Sequence, residues 1–163
     1  MNRTISVAPV HKTVFVNADP HEAFEVFTAG IDRWWPKSKG IGATPIRKSV
    51  IEPLVGGRWY TEHEDGAVAV IGHVLVWQPG KRFTVTWEIS AAWKPDARVA
   101  LASEVEVRFL AEADGRTRVE LEHRNFERMG ADAGETMRKG VDDGWPKMLE
   151  LFANEVSKGT HAS

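Results

Sequence analysis

The sequence predicts an α+β fold in which a curved antiparallel sheet of six or seven strands wraps a long C-terminal helix. Three observations lead to this prediction. Apolar alternation and turn signals recur from residue 46 to residue 124, as expected for consecutive antiparallel strands. The apolar period becomes helical from about 135 to 157. The sheet has one apolar face, and this helix is the large amphipathic element available to cover it.

The strands are predicted from alternation between turn signals. Their expected ranges are 10–17, 46–53, 57–64, 67–77, 82–90, 103–111 and 117–124. The Asp65-Gly66 hairpin and the turn at 78–81 place Trp59, Gly72 and Trp87 in one row across three strands. We expect Gly72 to make room for the two indole rings that flank it.

The same two turns fix further cross-strand pairs, and the three-residue loop Ala113-Asp114-Gly115 fixes those of the last hairpin. The predicted pairs are Thr61 with Val70, His63 with Val68, Trp77 with Arg82, Val76 with Phe83, Val74 with Val85, Phe109 with Val119, Val107 with Leu121, and Val105 with His123. The opposite face of the last hairpin is charged, so we expect it to face solvent.

Three helices are predicted. Asp19 is a favourable N-cap, Pro20 suits the first helical position, and the first helix should run over 20–29. A second short helix is expected at 31–35. The long helix carries one apolar stripe, and Pro146 should kink it or mark its start, which would leave 137–141 as a shorter preceding turn.

Length and composition limit the class of protein. The 163 residues suffice for one domain, predicted at 10–158, with loose tails at 1–9 and 159–163. A net charge of −2 argues against nucleic-acid binding, and the absence of cysteine excludes disulfides and thiol catalysis. No apolar run is long enough for a membrane span and no secretory leader is apparent, so we expect a cytoplasmic protein.

Local motifs in this order resemble the START-like (SRPBCC) superfamily, and more closely its branch of homologues of the activator of heat-shock-protein ATPase. The motifs are Ala18-Asp19-Pro20, Ala23 to Phe27, Gly56-Gly57-Arg58-Trp59, Gly72-His73-Val74, Pro79, Arg82 to Trp87, Leu121-Glu122-His123 and Gly144-Trp145. The loop at 91–101 and Pro146 depart from the pattern. The resemblance implies the helix-grip fold, known from the birch-pollen allergen, and a cavity for apolar or amphipathic small molecules. Some branches bind a chaperone instead, and some relatives cyclise polyketides.

The inward aromatic and apolar residues are candidates for the lining of that cavity. The predicted ligand-binding residues are Trp35, Trp59, Phe83, Val85, Trp87, Val107, Phe109, Leu121, His123, Trp145, Met148 and Leu149. Packing in a solid core is the alternative for each of them, since pockets and cores use the same residue types. Of the pair Trp34 and Trp35, one is expected to plug the core, and Trp93 is considered as a lid.

His123 is the polar residue of most interest, because alternation puts it on the inward face. It is predicted to be either a satisfied core histidine, a polar ligand anchor, or a titrating base. His63 is expected to be solvated beside the hairpin turn. Because His63 and His73 should point to opposite faces, the three histidines are not expected to form a metal site, and no cofactor is predicted.

Three functions remain open from the sequence. The leading one is the binding of a hydrophobic or aromatic small molecule without assured catalysis. The second is a cyclase or hydrolase-like enzyme that uses His123 as base. The third is a chaperone-regulating module with a protein partner at the outer sheet face, for which Arg58, Tyr60, Glu62 and His73 are candidates. The chain is expected to be a monomer or a homodimer.

Overall fold

The computed structural model describes residues 6–38 and 40–160 and has the predicted architecture. In the described part of the chain, seven strands form one antiparallel sheet, and three helices pack against it. The strands are β1 (Val10–Val16), β2 (Ile46–Ile51), β3 (Arg58–His63), β4 (Val68–Gln78), β5 (Arg82–Trp87), β6 (Ser103–Ala111) and β7 (Thr117–Arg124). The helices are α1 (Pro20–Phe27), α2 (Ile31–Trp34) and α3 (Ala131–Thr160), with short 3₁₀ turns at Val99–Leu101 and Phe126–Met129. The spatial order is β1-β7-β6-β5-β4-β3-β2, so the α+β helix-grip fold is confirmed.

Helix α1 begins as its sequence predicts. The Asp19 carboxylate accepts a hydrogen bond from the backbone N–H of Glu22 at 2.8 Å, which satisfies one of the free donors of the first turn. Pro20 occupies the first turn, where its missing N–H costs nothing. The apolar face of α1 buries Phe24 and Phe27 against β5, β6 and α3.

The β6–β7 hairpin has the predicted register. Phe109 lies opposite Val119, Val107 opposite Leu121, and Val105 opposite His123. The outer face is charged, as expected, and its side chains form ion pairs with one another. Glu106 of this face is nevertheless buried, and although burial opposes its ionisation, Arg124, Thr84 and Arg108 hold the pKa of its carboxyl below the ordinary value.

Two β-bulges make part of the predicted register wrong. Trp59 does face Gly72, and Val74 does face Val85. Irregularities after Trp59 and between Val74 and Val76 then shift the pairs by one residue. The observed pairs are Thr61 with Ala69, Glu62 with Val68, Val76 with Thr84, Trp77 with Phe83, and Gln78 with Arg82. Bulges of this kind bend a strand, which suits a sheet that curves around a helix.

Gly72 is required for a different reason from the predicted one. The rings of Trp59 and Trp87 contact each other directly, with centroids 5.7 Å apart. A Cβ at position 72 would lie only 1.7 Å from the carbonyl oxygen of Thr86. The close approach of the β5 backbone, rather than the indole rings, therefore excludes any side chain here.

Helix α3 is one continuous element, so the predicted break before Pro146 is wrong. It runs from Ala131 to Thr160 and contains Pro146. Proline removes one helical hydrogen bond. The helix continues because buried residues anchor it on both sides of the proline, among them Val141, Trp145 and Leu149.

Parts of the predicted tails are packed. Val7 is buried in the core, and the Arg138 guanidinium donates to the Ala8 carbonyl at 2.7 Å. At the other end, α3 extends to Thr160. The tail residues 1–5 and 161–163 lie outside the described residues.

Substitution of Gly72 by alanine should destabilise the protein by about 2–3 kcal/mol, because the new methyl group must displace backbone. Chemical denaturation followed by Trp fluorescence would measure the change. Gly144→Ala is the matched control, since no atom lies within 4 Å of a Cβ there and alanine favours a helix. Equal stability of Gly72→Ala and the wild type would refute the close approach.

Candidate ligand-binding pocket

A pocket of about 260 Å³ lies between the β2–β5 part of the sheet and the N-terminal half of α3. A cavity of about 150 Å³ can hold one benzene ring, so this one has room for two fused rings. Its lining consists of Trp35, Pro36, Ser38, Gly40, Ile41, Ile46, Thr61, Ile71, Trp87, Ile89, Trp93, Gly140, Val141, Gly144, Trp145 and Met148. None of these side chains is ionisable, so the pocket is apolar with a few neutral polar groups.

Four tryptophans form much of the wall, namely Trp35, Trp87, Trp93 and Trp145. Trp87 at the end of β5 meets Trp145 of α3 with ring centroids 5.9 Å apart, and Trp35 meets Trp145 at 6.3 Å. Trp59 lies behind them and contacts both Trp35 and Trp87. The predicted row of indoles therefore does turn toward the helix.

The structure brings only some of the predicted site residues to the pocket. Trp35, Trp87, Trp145 and Met148 line it. The other predicted residues do not: Trp59, Phe83, Val85, Val107, Phe109, Leu121, His123 and Leu149 are buried in the core. For Phe83 and Phe109 the reason is that α1 inserts the rings of Phe24 and Phe27 against them.

The neighbouring indole Trp34 plugs the core, as expected for one member of the pair. It is buried, and its N–H donates to the Val26 carbonyl at 2.9 Å. Trp35 is left half-buried at the pocket.

Two buried indole N–H groups have no hydrogen-bond acceptor among the described residues. They belong to Trp59 and Trp87, whose exposures are 3% and 8%. A buried donor without a partner is costly. Trp87 is the one of the two that lines the pocket.

His123 is a satisfied core histidine behind the pocket. It is fully buried, its Nδ1 accepts the indole N–H of Trp145 at 3.1 Å, and its Nε2 lies 2.8 Å from the Ser103 hydroxyl. Acceptance at Nδ1 places the imidazole proton on Nε2. Burial lowers the pKa of His123 from 6.5 to about 3. Its ring therefore orients Trp145 and holds no free position for a ligand.

His63 is buried, so its predicted solvation is wrong. Only 1% of it is exposed, because the loop at 40–45 returns over the end of β3. Its Nδ1 lies 2.7 Å from the Thr44 carbonyl and its Nε2 lies 2.8 Å from the Thr61 hydroxyl, which belongs to the pocket wall. A Cβ at Gly42 would collide with the ring at 2.3 Å, so this glycine permits the covering loop. Thr61 was not among the predicted site residues, although it shares the inward face with Trp59.

Trp93 closes the rim of the pocket from the loop between β5 and β6. It is 42% exposed and has a φ of 60°, a rare backbone conformation for a large residue. Its ring rests on Gly140 of α3, where an added Cβ would lie 2.5 Å from the indole. The position agrees with the suggested role as a lid, which remains a prediction.

His73 points away from His63. Its side chain is 41% exposed, and its Nδ1 lies 2.6 Å from a carboxylate oxygen of Glu88. Among the described residues, no three histidine, aspartate or glutamate side chains converge as a metal site requires. On the same outer face, the Arg58 guanidinium covers the Tyr60 ring at 4.5 Å.

The fold and the pocket together define a START-like helix-grip protein. The chain belongs to the family described as activator of Hsp90 ATPase homolog 1-like protein, whose model matches residues 17–157. No curated protein matches this chain. None of the helices in the described ranges has both the length and the apolar character needed to cross a membrane.

Solved structures resemble the whole domain. An anthrahydroquino-gamma-pyrone synthase, Txn09, solved in complex with SUM, is 37% identical, and the match covers 93% of this chain and 99% of that one with a TM-score of 0.64. The self-sacrificing resistance protein CalC from Micromonospora echinospora is 28% identical over 95% of this chain and 97% of its own, with a TM-score of 0.67. The Aha1 dimer from Colwellia psychrerythraea is 14% identical over 92% and 96%, with a TM-score of 0.63, and shows the fold alone.

Acid should destabilise this protein through His123. The unfolded chain binds a proton at this residue below about pH 6.5, whereas the buried ring stays neutral down to about pH 3, so stability falls as the pH is lowered between these values. For one such group the loss between pH 7 and pH 5 is about 2 kcal/mol. Denaturant unfolding at both values would show a flatter pH dependence for His123→Gln than for the wild type.

The exposed His11 supplies the control for this measurement. His11→Gln should keep the pH dependence of the wild type. An unchanged pH dependence in His123→Gln would show that His123 titrates normally in the folded protein.

Proposed function

We propose that this protein binds a flat, largely apolar aromatic molecule in the pocket beneath Trp35, Trp87 and Trp145. The observation that carries the proposal is an apolar pocket of about 260 Å³ whose walls are indole faces. Indole rings stack on other aromatic rings, and burial of apolar area contributes about 25 cal/mol per Å² before the costs of ordering. The free N–H of Trp87 adds one donor for an acceptor such as a carbonyl oxygen.

The similarity to known structures supports an aromatic ligand of this kind. The 37% identical relative is named as a synthase of an anthrahydroquinone-type gamma-pyrone, which is a fused aromatic ring system. That description belongs to the relative. It favours two or more fused rings over a fatty acid or a sterol as the ligand class here.

Catalysis is the second candidate, and the same relative favours it, because a synthase is 37% identical over 93% of this chain. The arrangement of His123 does not support its role as the base of such an enzyme. Both ring nitrogens of His123 already have partners, and its side chain does not line the pocket. An enzyme built on this pocket would use other groups.

A chaperone-regulating role has less support. It draws on the family description and on the Aha1 structure, which shows fold alone at 14% identity. The charged outer face is occupied by ion pairs such as those of Glu106 with Arg82 and Arg108. We therefore place the function in the pocket, and the monomer or homodimer state and the cytoplasmic location remain predictions.

A graded series at Gly144 tests the proposal. Gly144 lines the pocket and has open space around it, so a leucine there should fill the cavity while favouring the helix. Two- and three-ring aromatic compounds would be screened against the wild type by calorimetry and thermal shift. A ligand at 100 times its Kd should stabilise the fold by about 2.7 kcal/mol.

We expect Gly144→Leu to abolish binding of every compound that binds the wild type. Gly144→Ala is the control and should change Kd by less than about threefold, because it adds one methyl group only. Absence of binding by all compounds, or undiminished binding in Gly144→Leu, would remove the pocket from the function.

A further inference from the structure

Three groups form a hydrogen-bonded line that ends at the pocket wall. The Thr44 carbonyl lies 2.7 Å from His63 Nδ1, and His63 Nε2 lies 2.8 Å from Thr61 Oγ1. His63 and Thr61 are each 1% exposed. Thr61 lines the pocket, whereas His63 stands behind it.

The directions of these hydrogen bonds follow from their partners. A carbonyl only accepts, so His63 Nδ1 must carry a proton. When Nε2 of this ring carries no proton, it accepts a hydrogen bond, and the Thr61 hydroxyl donates to it. Thr61 has no proton left for the pocket, and its oxygen can only accept there.

We infer that Thr61, oriented by His63, selects an aromatic ligand that carries a hydrogen-bond donor, such as a phenolic hydroxyl. The inference rests on the proposed function and names the ligand class more narrowly. A phenol donates to Thr61 Oγ1 and completes the line from ligand to Thr44. An aromatic ether or a methyl group in the same place leaves the Thr61 acceptor unpaired. Thr61 is the contact residue, and His63 is a positioning residue.

The wall also contains a neutral hydrogen-bond donor, the N–H of Trp87, which complements the Thr61 acceptor. The Trp87 N–H seeks an acceptor, whereas Thr61 seeks a donor. A ring system with both a hydroxyl and a carbonyl satisfies the two groups together. No side chain in the lining is charged, so no charged group competes with Trp87 and Thr61 for hydrogen bonds to the ligand.

A pair of ligands isolates this contact from pocket binding in general. The probes are 2-naphthol and 2-methylnaphthalene, which share a two-ring frame and differ by a hydroxyl or a methyl group of similar size. Kd would be measured by calorimetry for the wild type, Thr61→Val and Thr61→Ser. We expect Thr61→Val to weaken 2-naphthol by about tenfold relative to 2-methylnaphthalene, the size of one hydrogen bond.

Thr61→Ser keeps the hydroxyl and should preserve the wild-type ratio of the two Kd values. Thr13→Val is the matched control, because Thr13 is an exposed strand threonine of β1 that does not line the pocket. It should leave the ratio unchanged. A merely structural role for Thr61 would weaken both ligands equally and leave the ratio intact in Thr61→Val.

Should Thr61→Val fail to fold, wild-type protein alone decides the matter. It should bind 2-naphthol about tenfold more tightly than 2-methoxynaphthalene, which accepts but does not donate. Equal affinities overturn the inference while pocket binding stands. If none of the three naphthalenes binds the wild type, both the inference and the proposed function are overturned.

Discussion

The structure depends on how the concave apolar face of the sheet is covered, because an uncovered face of this size would be exposed to water. Helix α3 spans the face, but one helix is too narrow to cover seven strands. Helix α1 fills the remaining space on one side with Phe24 and Phe27, whose rings pack against Phe83 and Phe109. It is only eight residues long, and on the other side, within the described residues, the four-residue α2 is the one helix besides α3 that contacts the sheet. That side is closed by loops and by indole rings, and the pocket lies there.

Two glycines on α3 keep this space open. Gly140 and Gly144 are one helical turn apart and both line the pocket. Further along the same helix, Leu149 and Phe152 are fully packed. Glycine lowers helix stability by about 1 kcal/mol relative to alanine at each such position. The cost is consistent with a helix that is solid at its C-terminal end and recessed toward the pocket near its middle.

The sequence was sufficient for the architecture because the signals that define it are local. The β6–β7 register followed from one three-residue loop without a bulge, and α1 followed from Asp19 and Pro20. The register around Trp59 failed after one pair, because a bulge leaves no mark in an alternating pattern. The expectation that Pro146 could mark the start of the helix was wrong. Local helix propensity does not include the packing of Val141 and Leu149, which anchors the helix on either side of the proline.

The site was harder to predict than the fold, since alternation assigns a face but not what lies against it. Phe83 and Phe109 do face inward, yet the rings of α1 pack against them and leave no space for a ligand. His63 was expected in solvent because the loop at 40–45 that covers it has no regular pattern. Gly140 and Gly144, one turn apart on the same face of the predicted helix, were the signal in the sequence for a recess.

The two buried histidines show how the neighbours of a ring decide its chemistry. His123 accepts a hydrogen bond from Trp145 and contacts Ser103, and no part of it borders the pocket. The hydrogen bond to its Nδ1 holds Trp145, which lines the pocket, in position. His63 also has a partner for each nitrogen, but one of these is the hydroxyl of Thr61, a residue of the pocket wall. The imidazole thereby fixes the direction of a hydroxyl without entering the pocket. A neutral donor and a neutral acceptor, set in an apolar wall, suit recognition of an uncharged aromatic molecule better than recognition of an ion.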